Sequence, residues 1–381
     1  MYNYLQAQID LSAIVHNCGL LRKVLKKQCK FCITSKSNAY GNGIDVVLPA
    51  FKAAGADMLA VAAVNEAHKL LDLAWDKPVL LFGSEFSVYN AQQKRELAEW
   101  LVQNQVRITV MNADDAEFLV EASRKLQKPA IVHVMLDTGM CRMGLNKENL
   151  RHLIEKISSR KEIVIEGIYT HFATADDCDK AFSLLQLERF NEFMAALKEN
   201  NVKIPISHVA NSAAILNLDQ IEYDMVRPGL SVYGYSSEHI ADNVDLRPSM
   251  KLITFLTVIK KIPKGSLVGY GSTWKAQRDT YIGLVPVGYA DGYDRGLSNS
   301  GQMKIAGRFV PVIGRVTMDQ TILDLTELIE LNLDVKVGNE VVVIDNDRNS
   351  PNSVEAIAEI IKTIPYEVIT GIGSRAVRIP M

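Results

Sequence analysis

In the stretch TSKSNAYGNG, Thr34 to Gly43, a lysine, a phenol and two glycines follow one another closely. Lys36 stands where the apolar run Phe31, Cys32, Ile33 gives way to a loop. An amine there is either a solvated strand end or a nucleophile held in a pocket, and because lysine is rarely fully buried, the residue alone points to the first. Tyr40 adds an O–H donor, and Gly41 and Gly43 would let backbone approach a ligand closely. Other groups with chemistry to offer stand in DTGMCR (Asp137 to Arg142), YTHFATAD (His171), HVANSAA (Asn211, Ser212) and VRPGLSVYG (Arg227, Gly229, Leu230). Singly, each has a plain structural reading: His171 as a hydrogen-bonded core histidine, Arg227 as a surface or ion-paired residue, Ser212 as a helix N-cap before AAIL. Together they are an amine, an imidazole, two guanidiniums and several small donors, with no carboxylate pair or metal-ligand cluster dominating. Such a set suits a small anion. Ser212, the amides near Gly229 and Leu230, and Tyr40 could all donate to a phosphate. A lysine beside a phosphate cup suggests pyridoxal phosphate, whose aldehyde forms a Schiff base with an amine.

The elements that must gather these residues are legible as a rhythm. Apolar runs recur at Phe31–Thr34, Met58–Ala63, Val79–Phe82, Arg107–Met111, Ile131–Leu136, Ile163–Tyr169, Ile206–Val209 and Asp224–Tyr233, each separated from the next by a helix-length segment. Apolar strands alternating with helices make a parallel sheet covered on both faces. Eight units of this size fit an α/β fold of the (β/α)8, TIM-like barrel kind, with a doubly wound sheet as the competitor. In a barrel, all the residues above lie at the C-terminal strand ends, on one rim. Before the first strand, DLSAIVHNCGLLRKVL has helical spacing behind an Asp/Ser start. After Tyr235 the pattern changes to short strands separated by turns, so a C-terminal, mainly β-strand domain is expected, interrupted by one helix at Ser353–Thr363. The expected domains are 1–238 and 239–381, with the first residues packing against the second.

Composition narrows the function classes. The 381 residues exceed the usual single core, and 48% hydrophobic with 23% charged residues is ordinary for a soluble globular chain. Lys+Arg 42 against Asp+Glu 44 leaves a net charge of -2 and no basic block, so nucleic acid is not an expected partner. No apolar run is long enough to cross a bilayer and no secretory leader is visible, so a cytoplasmic protein is expected, without membrane contact. Five cysteines suit a reducing compartment. Cys29 and Cys32 form a lone CxxC, read as structural because no second pair or histidines complete a metal site.

From TSKSNAYGNG through LDTGMCRMG, GIYTHFATADD, HVANSAA, VRPGLSVYG, GYGSTW and PVGYADGYDRG to GRVTMDQ, the chain resembles the pyridoxal-phosphate-dependent alanine racemases, in the family's order and over nearly its whole length. The resemblance implies an enzyme interconverting L- and D-alanine, with D-alanine serving as a cell-wall precursor. By it, Lys36 carries the cofactor and is one catalytic base, and Tyr270 is the base on the opposite face. Racemisation needs such a pair, because a proton taken from one side of the α-carbon must be returned from the other. His171 is similar to the histidine packed on the cofactor ring and placed to hydrogen-bond that tyrosine. Arg227 resembles the arginine facing the pyridine nitrogen; a guanidinium donates there and keeps its proton. Arg142 is similar to the arginine near the ring hydroxyl and the substrate carboxylate, which the backbone at Met318 would also meet. Tyr289 resembles a tyrosine at the channel entrance. Tyr40, Asn211, Ser212, Gly229 and Leu230 complete the cofactor site, and no metal is implied. The family's β domain serves the other subunit's site, so a homodimer is implied, with Tyr270, Tyr289 and Met318 acting in trans.

The chain departs from the family in two places. Met135 stands where a carbamylated lysine commonly positions the arginine, so Arg142 must be held otherwise. Ser374, just before Arg375, stands where a tyrosine usually donates to the phosphate; the serine would reach it through water, or Arg375 would compensate. The Met135 change keeps a broad-specificity or serine-type racemase open as an alternative. Related barrel-plus-β decarboxylases would use a cysteine late in the chain, and none follows Cys178. A non-catalytic pyridoxal-phosphate-binding protein of the single-barrel kind would lack the β domain and Tyr270.

Overall fold

The apolar runs become strands because they are covered on both sides: Met58–Val61 and Val79–Leu81 are buried at every residue. In the computed structural model, which describes residues 3–83, 85–219, 221, 223–237, 240 and 244–381, the strands are β1 (Gln6–Ile9), β2 (Lys30–Thr34), β3 (Met58–Val61), β4 (Val79–Leu81), β5 (Arg107–Val110), β6 (Ala130–Met135), β7 (Ile163–Tyr169), β8 (Ile206–His208), β9 (Met225–Val226) and β10 (Met250–Phe255). Strands β2 to β9 form one eight-stranded sheet in the order β8-β7-β6-β5-β4-β3-β2-β9, and every pairing is parallel. Its two ends meet through backbone bonds from Asp224 N to Ser207 O (3.0 Å) and from Arg227 N to Ala210 O (2.8 Å). The result is a nearly closed barrel, and the doubly wound alternative is set aside.

A mostly β region follows. β1 lies between β10, antiparallel to it, and Val377–Pro380, parallel to it, so the first and last strands of the chain are neighbours in a six-stranded sheet. Val258–Ile262, Thr280–Val285 and Thr321–Asp324 make a three-stranded antiparallel sheet. The pair Leu267–Val268 and Trp274–Lys275 carries a 3-10 turn at its tip, Tyr270–Ser272. Asp10 caps the first helix, Leu11–Lys23, accepting from Ala13 N at 3.0 Å. Among the described residues no helix is long and apolar enough to cross a membrane.

Several expectations need correction. Asp224–Tyr233 is not one strand: only Met225–Val226 pairs, because Pro228 has no N–H to give a ladder and Leu230–Tyr233 winds into a 3-10 helix closed by Gly234 at φ 92°. The interrupting helix, Val354–Ile361, has company in Thr326–Glu330 and Pro365–Thr370, which are too short to leave a periodic signature. β1 was hidden because an isolated four-residue strand has no pattern of its own. The expected boundary at 238/239 lies outside the described residues.

Candidate active site

Lys36 follows β2 and begins a short left-handed turn. Ser37, Asn38, Ala39 and Tyr40 all have φ between 52° and 56°, and Gly41 follows at 81°. Each L residue held there costs about 1–2 kcal/mol, so the turn persists only because its surroundings hold it. Glu66 accepts from Ser37 N at 2.5 Å, Asn38 Oδ1 accepts from Ile44 N at 3.0 Å, and Tyr40 stacks on Tyr233 at 5.0 Å between ring centroids. The two glycines serve this packing rather than a ligand. A Cβ on Gly41 would lie 2.1 Å from the carbonyl oxygen of Ile369, and one on Gly43 would meet Arg378 at 3.1 Å. Arg378 also donates from Nε to Gly41 O (2.9 Å) and from its other nitrogens to Ile372, Gly373 and Ala376, stapling the C-terminal segment to the lysine turn. Burial, with Arg142 assisting and Glu66 opposing, holds the Lys36 ammonium below its usual pKa.

The cup beside the lysine is built from β8, β9 and their loops. Ser212 Oγ accepts from the N–H of Gly229 (2.8 Å) and of Ser231 (3.2 Å), which leaves its own hydrogen free to donate. Ser231 Oγ is buried with no hydrogen-bond partner, and Leu230 opens a 3-10 helix, so its N–H lacks an intrahelical acceptor. A Cβ on Gly229 would come within 2.6 Å of the Tyr40 hydroxyl, so that phenol closes the cup's side. These orphaned donors fit a phosphate. The N-cap place read for Ser212 belongs to Asn211, whose Oδ1 accepts from Ala214 N (2.9 Å); Ser212 is the first helical residue.

Arg227 is 3% exposed, and no carboxylate pairs with it among the described residues. It donates to His208 Nδ1 (2.8 Å), to the carbonyls of His208 and Thr170 (both 2.7 Å), and reaches His171 Nδ1 at 3.4 Å, with Tyr169 below its guanidinium. Burial lowers its pKa to about 10, against the opposing influence of Tyr169 and Cys32, so it stays protonated near neutrality. His171 is pushed down to about 3 by burial and by Arg227, Arg142 and Lys36, so its imidazole is neutral. The arrangement reaches deeper than the motifs suggested: His208 Nε2 meets His133 Nδ1 at 2.9 Å, and His133 Nε2 meets Glu166 at 3.2 Å. Arg107 closes the series on Glu166 through Nε (3.0 Å) and Nη2 (3.1 Å).

Asp137 shapes the DTGMCR loop by accepting from the amides of Gly139 (2.9 Å) and Cys141 (3.1 Å). Gln186, fully buried on helix Ala181–Glu199, donates to Thr138 Oγ1 (3.1 Å) and His171 O (3.0 Å) and accepts from Ala173 N (2.9 Å), binding the loops after β6 and β7 together. Met135 is buried at the end of β6. It gives Arg142 no partner, and among the described residues no hydrogen bond or ion pair restrains that guanidinium.

Tyr270, Tyr289 and Met318 form a second group. They line an open groove of about 550 Å³ with Arg295, Arg315 and Asp319, and Tyr270 is 74% exposed. Among the described residues, no hydrogen bond joins Tyr270, Tyr289 or Met318 side chains to the barrel group within one chain. Ser374 is exposed, and Arg375 pairs with Asp291 (2.8 Å) and Asp319 (2.7 Å), so its charge is spent on carboxylates rather than kept for a phosphate. Cys29 and Cys32 are buried free thiols, Cys32 packed among Met58, Ala60, Leu80, Ile206 and Met225 of the barrel strands, with desolvation raising both, Cys32 to about 12.

Sequence reading missed Glu66, His133, Glu166, His208, Gln186 and Ser231. Polar residues inside apolar runs were the available signal for His133, Glu166 and His208; the others have none short of the fold.

Two family profiles match the chain: "Alanine racemase, N-terminal domain" over residues 9–237 and "Alanine racemase, C-terminal domain" over residues 249–380. It is 35% identical over 376 residues to alanine racemase 1 of Caldanaerobacter subterraneus subsp. tengcongensis, covering 98% of this chain and 94% of that one. It is 37% identical to the alanine racemase of Methanococcus maripaludis, covering 98% and 97%. Among solved structures, alanine racemase from D-cycloserine-producing Streptomyces lavendulae superposes with a TM-score of 0.90 at 29% identity, covering 100% and 98%. That from Bartonella henselae with covalently bound pyridoxal phosphate gives 0.85 at 27%, covering 99% of each.

Proposed function

The chain belongs to the alanine racemase family, and on that premise we propose that its two groups of site residues interconvert L- and D-alanine by two bases on opposite faces of the α-carbon. The single-barrel alternative is disfavoured by the match over residues 249–380, and the relatives favour alanine over serine, being named alanine racemases.

The orphaned donors of the cup fit pyridoxal phosphate: Ser212, Ser231 and the Leu230 amide would hold its phosphate, Tyr40 closing the side, with Lys36 as the amine that binds it. When bound, this cofactor acts as an electron sink that acidifies the α-hydrogen of an amino acid. Lys36 Nζ takes or returns that proton on one face; its lowered pKa leaves more free amine near neutrality to do so. Arg227 keeps its proton, so it would meet the pyridine nitrogen as a charged donor. The neutral His171 faces Arg227 with a bare Nδ1, so it presents a ring face and an Nε2–H donor rather than a second positive charge. Arg142, without a hydrogen bond or ion pair among the described residues, is the cation for the substrate carboxylate.

The proton on the other face is assigned to Tyr270 Oη, supplied in trans. The observation that carries this is its exposure beside Tyr289 and Met318 in a groove apart from Lys36, which suits a homodimer whose subunits complete each other's sites. Action in the cytoplasm on a cell-wall precursor belongs to the same reading. Purified protein loaded with the cofactor and given L-alanine in deuterated water should yield both enantiomers with deuterium at the α-carbon. Retention of the L enantiomer without exchange, with cofactor bound, overturns the reading.

A further inference from the structure

Glu66 sits on helix Val64–Asp72, after β3, and belongs to no motif that carries the chemistry. Its Oε2 accepts from the amides of Ala62 (2.9 Å) and Ala63 (3.2 Å), as a carboxylate capping its own helix would. Its Oε1 does something a cap does not require: it crosses to the neighbouring strand's end and accepts from Ser37 N at 2.5 Å, the first amide after Lys36. Lys69, one turn further along the helix, reaches Asn38 Oδ1 at 3.4 Å and Asp45 at 3.7 Å, so the same helix grips the left-handed turn twice.

We infer that Glu66 is a positioning residue for Lys36, its carboxylate clamping the strained turn that presents the amine while placing a negative charge beside it. The inference rests on Lys36 being the working amine of the proposed reaction. Three amide donors converge on one carboxylate, and an amide side chain cannot replace it: in Glu66→Gln the side-chain NH2 would have to face at least one of those donors. The charge matters as well as the geometry. Among the described residues, the ionisable groups that act on Lys36 or feel its charge are Arg142 from the loop after β6, His171 from the loop after β7, and Glu66; His171 is neutral, so Glu66 is the anion of the three. Removing it leaves burial and Arg142 unopposed, and the ammonium then loses its proton at lower pH.

The test is Glu66→Gln, with Asn112→Ala as the control. Asn112 caps helix Ala113–Leu126 through Asp115 N, so its loss removes a cap away from the lysine turn. In cofactor-free protein, Lys36 is labelled with formaldehyde and cyanoborohydride across a pH series and its labelling followed by peptide mass spectrometry. Glu66→Gln should shift the Lys36 midpoint down and, in loaded enzyme, lower kcat by about tenfold to a hundredfold through misplacement of the amine. Asn112→Ala should leave both unchanged while lowering Tm. Glu66→Asp, which keeps the charge but shortens the reach, should largely keep the midpoint and still lose turnover. An unchanged midpoint in Glu66→Gln, or the same shift in Asn112→Ala, overturns the inference. The labelling midpoint does not depend on which amino acid is turned over, so it stands apart from the racemase reading.

Discussion

Arg227 donates from Nη1 to Nδ1 of His208 at 2.8 Å, and that one bond fixes the protons of everything behind it. A guanidinium has no acceptor, so His208 Nδ1 must be bare and its Nε2 must carry the hydrogen. His208 Nε2 then donates to His133 Nδ1, and His133 Nε2 donates to Glu166, which Arg107 holds from the far side. The buried cation at the rim is thereby linked through two neutral imidazoles to a carboxylate in the barrel wall. His133→Leu should leave His208 without an acceptor and cost about 1–3 kcal/mol of stability. Urea unfolding of the variant against the parent protein measures it.

Glu166 also sets an acid limit on stability. Burial is the largest influence on it and would raise its pKa, but hydrogen bonds from His133 and Arg107 and the charge of Arg107 together outweigh burial and hold the carboxyl at about 2. A depressed carboxyl stabilises the fold fully above its ordinary pKa, and that contribution drains away as pH falls from the usual carboxylate range toward about 2. Thermal melts through this window should fall more steeply for the parent than for Glu166→Gln.

His171 should not titrate while the enzyme works. Its pKa near 3 means the proton is lost as pH rises past that value, and the ring stays neutral to the alkaline side. Nitrogen NMR of labelled His171 should show neutral-imidazole shifts unchanged between about pH 5 and about pH 9.

Gly229→Ala should injure the cup. The added methyl lies 2.6 Å from the Tyr40 hydroxyl, and Tyr40 cannot retreat because it is buried against Tyr233. Overpacking of this kind costs about 1–3 kcal/mol. Equilibrium titration with pyridoxal phosphate should show weaker binding by about tenfold or more, since about 1.4 kcal/mol is a factor of ten.

The covered parallel sheet was legible because its strands are apolar on both faces, and the count of eight units favoured a barrel over the doubly wound sheet that shares the pattern. The rim was legible because parallel strands deliver their ends to one side, so Lys36, His171, Ser212 and Arg227 could be gathered without coordinates. What escaped reading depends on contacts distant in sequence. Gly41 and Gly43 read as ligand-facing, yet they admit the backbone of Ile369 and the side chain of Arg378, partners from the far end of the chain. Asn211 also serves locally, its Oδ1 accepting from Ala214 N as the N-cap, which leaves its Nδ2 hydrogens outside the cap. β9 ends early because Pro228 and Gly229 interrupt a run that hydrophobicity alone carries on to Tyr233.

The central claim is that Lys36 of one subunit and Tyr270 of its partner serve the same α-carbon. Mixing Lys36→Ala and Tyr270→Phe proteins, unfolding and refolding them together so that subunits exchange, tests it directly. A homodimer with sites shared between subunits gives each mixed dimer one wholly intact site, so the mixture should regain about a quarter of parental racemase activity from two nearly inactive parents. Mixed dimers that form, bind cofactor and remain as inactive as either parent would contradict the account.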